Sequence, residues 1–162
     1  MLIKYVYIVF LGLILATFVG VGIAAFYKGP VYPETPVSLK YARPYPEATT
    51  ATPSAEYIKE QEVFDQKSKD YQEKLSKYSQ NVSVISLVFA VLMMVISLTL
   101  FKKILVIADG LLLGGVLTLA YSIVRGFGSN DDIFRFLMVG AGLITAMALG
   151  YLKFVAPLNR KK

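Results

Sequence analysis

Four long apolar stretches constrain this chain more than any other feature of its sequence. They cover residues 5–27, 78–101, 104–124 and 133–152. The first two contain no charged residue, while the third contains Asp109 and the fourth contains Arg135 near its start. Each is about 20 residues or longer, the length that a helix needs to cross about 30 Å of hydrocarbon. The sequence therefore predicts an all-α integral membrane protein with four transmembrane helices.

The residue types missing from the chain exclude several kinds of chemistry. The sequence has no Cys and no His, which excludes thiol nucleophiles, disulfides, Cys/His zinc sites and histidine bases. It also contains no nucleotide-binding glycine loop and no acidic metal motif. We therefore expect no metal, no cofactor and no enzymatic activity.

The basic residues predict the orientation in the membrane. The net charge is +6, but the excess lies at the edges of the apolar stretches, which argues against nucleic acid as a partner. If the N-terminus is cytoplasmic, the cytoplasmic flanks hold no acidic residue and the following basic ones: Lys4, Lys102, Lys103, Lys153, Arg160, Lys161 and Lys162. The segment between the first two stretches balances eight basic with eight acidic residues. The positive-inside rule thus predicts a multi-pass protein of the plasma (inner) membrane with both termini, including the basic tail 153–162, in the cytoplasm.

The first predicted helix, residues 1–27, has two interpretations. Lys4 precedes the apolar run and small residues end it, as in a cleaved signal peptide. The apolar core of a signal peptide is usually about 7–15 residues, however, and this run is longer. We therefore favour an uncleaved signal anchor; cleavage would leave three helices with the same C-terminal orientation.

The predicted extracytoplasmic segment has two parts. Residues 28–53 contain six of the seven prolines, which predicts an extended, polyproline-like segment. Residues 54–80 contain no Gly or Pro and predict an amphipathic helix that runs into the second transmembrane helix, residues 81–101. The alternative is a bend near residues 79–81, with the amphipathic helix lying on the membrane surface.

An aromatic stripe follows one face of this predicted helix. Tyr57, Phe64, Tyr71 and Tyr78 recur every seven residues, while the opposite face is charged. Exposed apolar patches usually mark contacts, so the stripe is a candidate docking face for a protein partner or for a second copy of the chain. Packing against the Pro-rich segment of the same chain explains it equally well.

Small residues at four-residue spacing predict close helix packing. The first helix has Gly12, Ala16, Gly20 and Ala24; the third, residues 104–124, has Gly110, Gly114, Thr118 and Ser122; the fourth, residues 133–152, has Gly142, Ala146 and Gly150. Such faces let helix backbones approach closely in lipid. The second helix has a less regular set, Ser83, Ser86, Ala90 and Ser97. We expect a compact four-helix bundle in which Gly20 lies at an interface and Val19 faces lipid.

Asp109 is the single acidic residue in the apolar stretches, and intramembrane carboxylates are candidate functional sites. Its position near the predicted cytoplasmic boundary also allows a structural role, with Lys153, Ser97 or Thr99 as partner. In the connection between the third and fourth helices, Ser129 and Asp132 have the spacing of a capping box.

These features predict a non-catalytic structural or interaction subunit that presents an extracytoplasmic helical arm to a partner. The alternative is a small transporter, channel or ion-coupled component that uses Asp109. The two differ because transport needs a water-accessible polar path to Asp109, whereas a scaffold needs a dry bundle.

Overall fold

A computed structural model describes residues 2–36, 55–99 and 104–155, without the side chains of 154 and 155. The described residues form helices α1 (Leu2–Phe26), α2 (Ala55–Thr99), α3 (Leu105–Gly126) and α4 (Asp132–Gly150), and no strand. A π-helical turn, Tyr151–Val155, follows α4. The predicted segment over 37–53, the connection 100–103 and the tail beyond 155 lie outside the described residues.

The helices match the membrane-spanning prediction in number, length and composition. Four of the described helices are long and apolar enough to cross a membrane: Leu2–Phe26, Ala55–Thr99, Leu105–Gly126 and Asp132–Lys153. The prediction of an all-helical chain with four such helices is therefore confirmed for the described part of the chain. Helix α2 is a single element of 45 residues, because nothing in its sequence interrupts the hydrogen-bond ladder with Gly or Pro.

The chain divides into two compact units. We call residues 1–29 with 76–162 the bundle unit, and Pro30–Leu75 the arm unit. The bundle unit contains α1, the C-terminal part of α2, α3 and α4. Of the described residues, the arm unit contains 30–36, which have no regular secondary structure, and the N-terminal part of α2.

Helix α3 lies between the other three helices of the bundle unit. A Cβ atom on Gly110 would lie 2.6 Å from Leu11 of α1, and one on Gly115 would lie 2.6 Å from Met94 of α2. A Cβ on Gly142 of α4 would lie 2.7 Å from Ile123 of α3. Glycines at these positions therefore let α3 approach each neighbour closely, as the sequence predicts for Gly110 and Gly142.

The contacts also define the direction of each helix. Gly110 adjoins Leu11 and Gly114 adjoins Leu15, so α1 and α3 run parallel. Ser97 of α2 bonds to Ala108, while Ser83 bonds to Ser122, so α2 runs antiparallel to α3. Helix α4 is also antiparallel, because Lys153 reaches Asp109 and Gly142 adjoins Ile123. The start of α1 and the end of α4 thus lie at the same end of the bundle.

Part of the predicted packing face on α1 and α4 has no neighbour within the described chain. Within the described structure, a Cβ on Gly20 or Gly150 would have no neighbour within 4 Å, and Ala24 and Ala146 are exposed. Ala16 is half-buried, and a Cβ on Gly12 would lie 2.9 Å from Leu113, so the face is correct only near Gly12.

The buried positions on α1 are Gly12, Val19 and Ile23, which follow a heptad pattern. A row at four-residue spacing turns about 40° around the helix at each step, whereas a heptad turns only about 20°. The predicted row therefore leaves the interface, and Val19 packs in the core instead of facing lipid.

The same rotation leaves the row on α3 buried, because α3 has neighbours on several sides. Gly110 and Gly114 meet Leu11 and Leu15 of α1, and further along the row Ser122 bonds to Ser83 of α2. The prediction for this helix matches the structure because the row turns from one neighbour to the next.

The connection between α3 and α4 is capped differently from the prediction. Asp131, not Ser129, caps α4, since its carboxylate accepts hydrogen bonds from the backbone N–H groups of Ile133 and Phe134. Asp132 instead pairs with Arg135 at 2.9 Å. The capping-box interpretation is wrong because the buried Ser129 hydroxyl accepts hydrogen bonds from the Gln80 side chain and the Asp131 backbone N–H, while the first N–H groups of α4 bond to Asp131.

Candidate functional site

A reciprocal pair of hydrogen bonds joins α2 to the C-terminal part of α3 in the bundle unit. The Ser83 hydroxyl donates to the Ser122 carbonyl, and the Ser122 hydroxyl donates to the Ser83 carbonyl, each at 2.7 Å. Both serines are fully buried. Each hydroxyl is satisfied by backbone, so the pair locks the two helices in register and offers no free polar group to a substrate.

The α2 side of this interface is a row of buried small residues, which four-residue spacing alone indicates only as a less regular set. The buried small residues on α2 are Ser79, Ser83, Ser86, Ala90 and Ser97. Their spacings of three, four and seven residues form a heptad repeat, the pattern of helices that pack with a left-handed crossing. A search for four-residue spacing alone does not find this pattern; a search for small residues in heptad register would have found it.

Three further buried hydroxyls of the bundle also donate to backbone carbonyls. Ser86 donates to the Val82 carbonyl and Thr118 donates to the Gly114 carbonyl, each at 2.8 Å. Ser97 donates to the Ala108 carbonyl at 2.6 Å. Bonds of this kind within or between helices satisfy hydroxyl groups without water.

The α3–α4 connection is held on α2 by a small polar cluster. Ser129 accepts a hydrogen bond from the Gln80 side chain at 2.8 Å, and Ser76 accepts one from the Asn130 backbone N–H at 2.9 Å. A Cβ on Gly128 would lie 3.0 Å from the Ser79 hydroxyl oxygen. The turn is therefore held against α2 where that helix enters the bundle unit.

Three aromatic and cationic side chains form a stack beside this cluster. The rings of Tyr27 and Tyr78 are parallel within 5° with centroids 5.2 Å apart, and the Tyr78 hydroxyl donates to the Tyr27 carbonyl at 3.1 Å. The Arg125 guanidinium lies 5.1 Å from the centre of the Tyr78 ring. The stack joins the end of α1 to α2 and α3.

Asp109 is paired at the opposite end of the bundle unit. Its carboxylate accepts a hydrogen bond from Lys153 at 2.6 Å, and the two side chains are 40% and 33% exposed. Of the partners considered from sequence, Lys153 forms this pair, Ser97 bonds to the neighbouring Ala108 carbonyl, and Thr99 bonds to Val95. The pair links the start of α3 to the turn after α4.

The predicted aromatic face is divided between the two units. Tyr78 stacks on Tyr27 within the bundle unit. Within the arm unit, Tyr71 contacts Tyr32 edge-on, with centroids 5.1 Å apart. Phe64 and Tyr57 are half-buried, and Tyr57 has further contacts. Two of the four aromatics therefore pack on tyrosines of the same chain, which favours internal packing at those two positions.

Residues 30–36 of the arm unit show a three-residue pattern of burial. Pro30, Pro33 and Pro36 are half-buried, whereas the residues between them are exposed. A polyproline helix has three residues per turn, so prolines at this spacing lie along one edge. This edge and the α2 face around Tyr71 border an open groove of about 300 Å³.

Metal-binding geometry is not found among the described residues, where no group of three or more Asp or Glu side chains could hold an ion. No known protein family, curated protein or solved structure matches the chain. The functional proposal below therefore rests on the residues and their geometry.

The Asp109–Lys153 pair provides a test of the structural role of Asp109. We expect Asp109→Asn to lower the free energy of unfolding by less than about 1 kcal/mol, because ion pairs between partly exposed side chains contribute little. Thermal unfolding in detergent would measure the change, with Asp132→Asn as the matched control that breaks a second exposed ion pair, Asp132–Arg135. A proton or ion flux in liposomes that Asp109→Asn abolishes would contradict a structural role and support the transporter alternative.

Proposed function

We propose that this chain is a non-catalytic, multi-pass membrane protein that anchors an extracytoplasmic arm for a protein partner. The observation that carries this proposal is the hydrogen bonding of five buried hydroxyls in the bundle unit. Ser83, Ser86, Ser97, Thr118 and Ser122 each donate to a backbone carbonyl of the chain itself. A transport path needs polar groups that can exchange partners with a solute or with water. Hydroxyls bonded in this way instead support a dry, structural bundle.

The charges support a cytoplasmic position for both termini. Lys4 lies in the first turn of α1 and Lys153 follows α4, and these helix ends lie at the same end of the bundle unit. The positive-inside rule favours the cytoplasm for this end. The residues next to the arm unit in sequence, Gly29 and Ser76, adjoin Tyr78 and Asn130 at the other end. We therefore propose that the arm unit is extracytoplasmic.

The surface of the arm unit supports a role in binding. Val31 is 90% exposed and Val63 is 54% exposed in a unit whose helix is otherwise rich in charge. Apolar side chains on a charged, water-facing helix contribute to protein interfaces, where they become buried. A protein partner is thus the proposed occupant of this surface, in place of a substrate held within the bundle.

Site-specific photo-crosslinking in intact cells tests this function. A photoreactive residue at Val31 or Val63 should give the same discrete protein adduct, because both positions belong to the proposed partner surface. The same residue at Leu143, which is 61% exposed on α4, is the control and should not give that adduct. The proposal fails if neither arm position forms a protein adduct or if Leu143 forms the same one.

A further inference from the structure

The groove of the arm unit has a mixed lining of prolines and charged residues. Its apolar side is formed by Pro30, Val31, Pro33 and Tyr71, and its charged side by Lys67, Asp70 and Lys74. The helical residues lie at three- and four-residue spacings on one face of α2. The volume of about 300 Å³ is at the lower end of the range for ligand sites, which fits a short piece of peptide.

The charged residues of the lining have no partner within the described part of the chain. Lys67, Asp70 and Lys74 are exposed and form no ion pair or hydrogen bond there. The two lysines lie seven residues apart, which places them about 10 Å apart along the helix axis. Asp70 lies between them, so the lining has a positive charge at each end and a negative charge near its middle.

We propose that this groove binds an extended, acidic segment of a partner protein, with two carboxylates at three-residue spacing. Three residues of a polyproline helix advance about 9 Å and return to the same edge, so two such carboxylates match the two lysines. Asp70 repels an acidic residue between them, which favours uncharged residues at the two middle positions. Tyr71 and the prolines provide the apolar surface that these middle residues cover.

The charge of the groove argues against two other occupants. Residues 37–54 of the chain contain Lys40 and Arg43 but one acidic residue, Glu47, so this segment cannot supply two carboxylates. An anionic membrane surface would be attracted by lysines but has no need for a proline-lined groove or for Asp70. A peptide uses all three elements of the lining. This inference rests on the proposed function and specifies the chemistry of the partner.

A binding measurement with a defined probe tests the inference. The probe is a fluorescein-labelled peptide, Gly-Glu-Pro-Pro-Glu-Gly, and the full-length protein is held in nanodiscs of neutral lipid. We expect saturable binding by fluorescence anisotropy, weakened about tenfold by Lys67→Glu with Lys74→Glu, because two exposed charge pairs are lost. A matched control, Lys59→Glu with Lys69→Glu, makes the same charge change at exposed positions outside the lining and should leave binding unchanged.

Several outcomes would overturn the inference. These are no saturable binding, equal weakening by the control pair, or equal binding of a probe with Gln in place of both Glu residues. Binding to phosphatidylglycerol vesicles that depends on Lys67 and Lys74, without binding of the peptide, would identify the groove as a membrane contact instead. If the probe fails while the Val31 and Val63 adducts persist, the proposed function stands and this inference is wrong.

Discussion

Gly115→Leu should prevent the bundle from folding correctly, or destabilise it more than other single changes in α3. A Cβ on Gly115 would lie 2.6 Å from the Met94 side chain and 3.2 Å from the carbonyl oxygen of Ala90. Met94 is flexible and can move, but the Ala90 carbonyl belongs to the backbone of α2 and cannot. Overpacking of this kind typically costs about 1–3 kcal/mol. A leucine here would also separate α3 from the row of buried small residues on α2.

Gly20→Leu provides the matched control. In the described structure a Cβ on Gly20 would meet nothing within 4 Å, so the same substitution should change the unfolding midpoint little. Size-exclusion chromatography and thermal unfolding in detergent would compare the fraction of folded protein for the two variants. Equal loss of folded protein from both variants would contradict the interface described for α3.

The contrast between these two glycines explains how far sequence can predict a bundle of this kind. Apolar length and the absence of helix breakers correctly predict the helices, because both are local properties of the chain. Which glycine is covered depends on the neighbour. Gly20 and Gly12 lie on the same four-residue row of α1, yet in the described structure only Gly12 has a close neighbour, Leu113. The row rotates away from α3, and the sequence does not state where that neighbour lies.

Polar contacts show the same limit. Charge and depth in the sequence allow three partners for Asp109, and one of them, Lys153, forms the ion pair in the structure. The pairing of Ser83 with Ser122 was not predicted, because it depends on the register of two helices and joins residues 39 positions apart in sequence. Ser129 has the local sequence of a helix cap, but its contact with Gln80 draws the hydroxyl into the bundle and leaves Asp131 to cap α4. A tertiary contact thus overrides the local capping pattern at Ser129.

The arm unit shows which part of the aromatic stripe is covered by the chain itself. The prolines predict an extended segment, and residues 30–36 have no regular secondary structure, with their prolines half-buried at three-residue spacing. Tyr71 meets Tyr32, so part of the aromatic face has an internal partner. Val31 and Val63 are exposed in the structure, and sequence alone could not predict that they are more exposed than the tyrosines of the stripe. The proposed partner surface therefore differs from the stripe that periodicity alone indicates.

Tyr78→Ala should destabilise the bundle by about 2–3 kcal/mol, because one side chain makes three contacts that the substitution removes together. The ring stacks on Tyr27, its hydroxyl donates to the Tyr27 carbonyl, and its face lies under the Arg125 guanidinium. Arg125 would lose the ring that lies against its charge, and its buried Nε atom has no hydrogen-bond partner to compensate. The loss should appear as a lower unfolding midpoint in detergent.

Two further variants separate the contributions at this position. Tyr78→Phe keeps the stack and the cation–π contact and removes one hydrogen bond, so it should cost about 1 kcal/mol. Tyr5→Ala removes a tyrosine that is 68% exposed on α1 and should leave the midpoint nearly unchanged.

The same variants decide between internal packing and docking for Tyr78. If Tyr78 belongs to the bundle, Tyr78→Ala lowers the unfolding midpoint, while at a temperature where the variant is still folded the protein adducts at Val31 and Val63 persist. A docking residue would give the reverse result, since its loss removes a partner contact and leaves the helices in place. Because the Tyr78 ring stacks on Tyr27 of the same chain, its contacts stabilise the fold, and this predicts the first result. An unchanged unfolding midpoint together with loss of the adducts would show instead that Tyr78 is a docking residue.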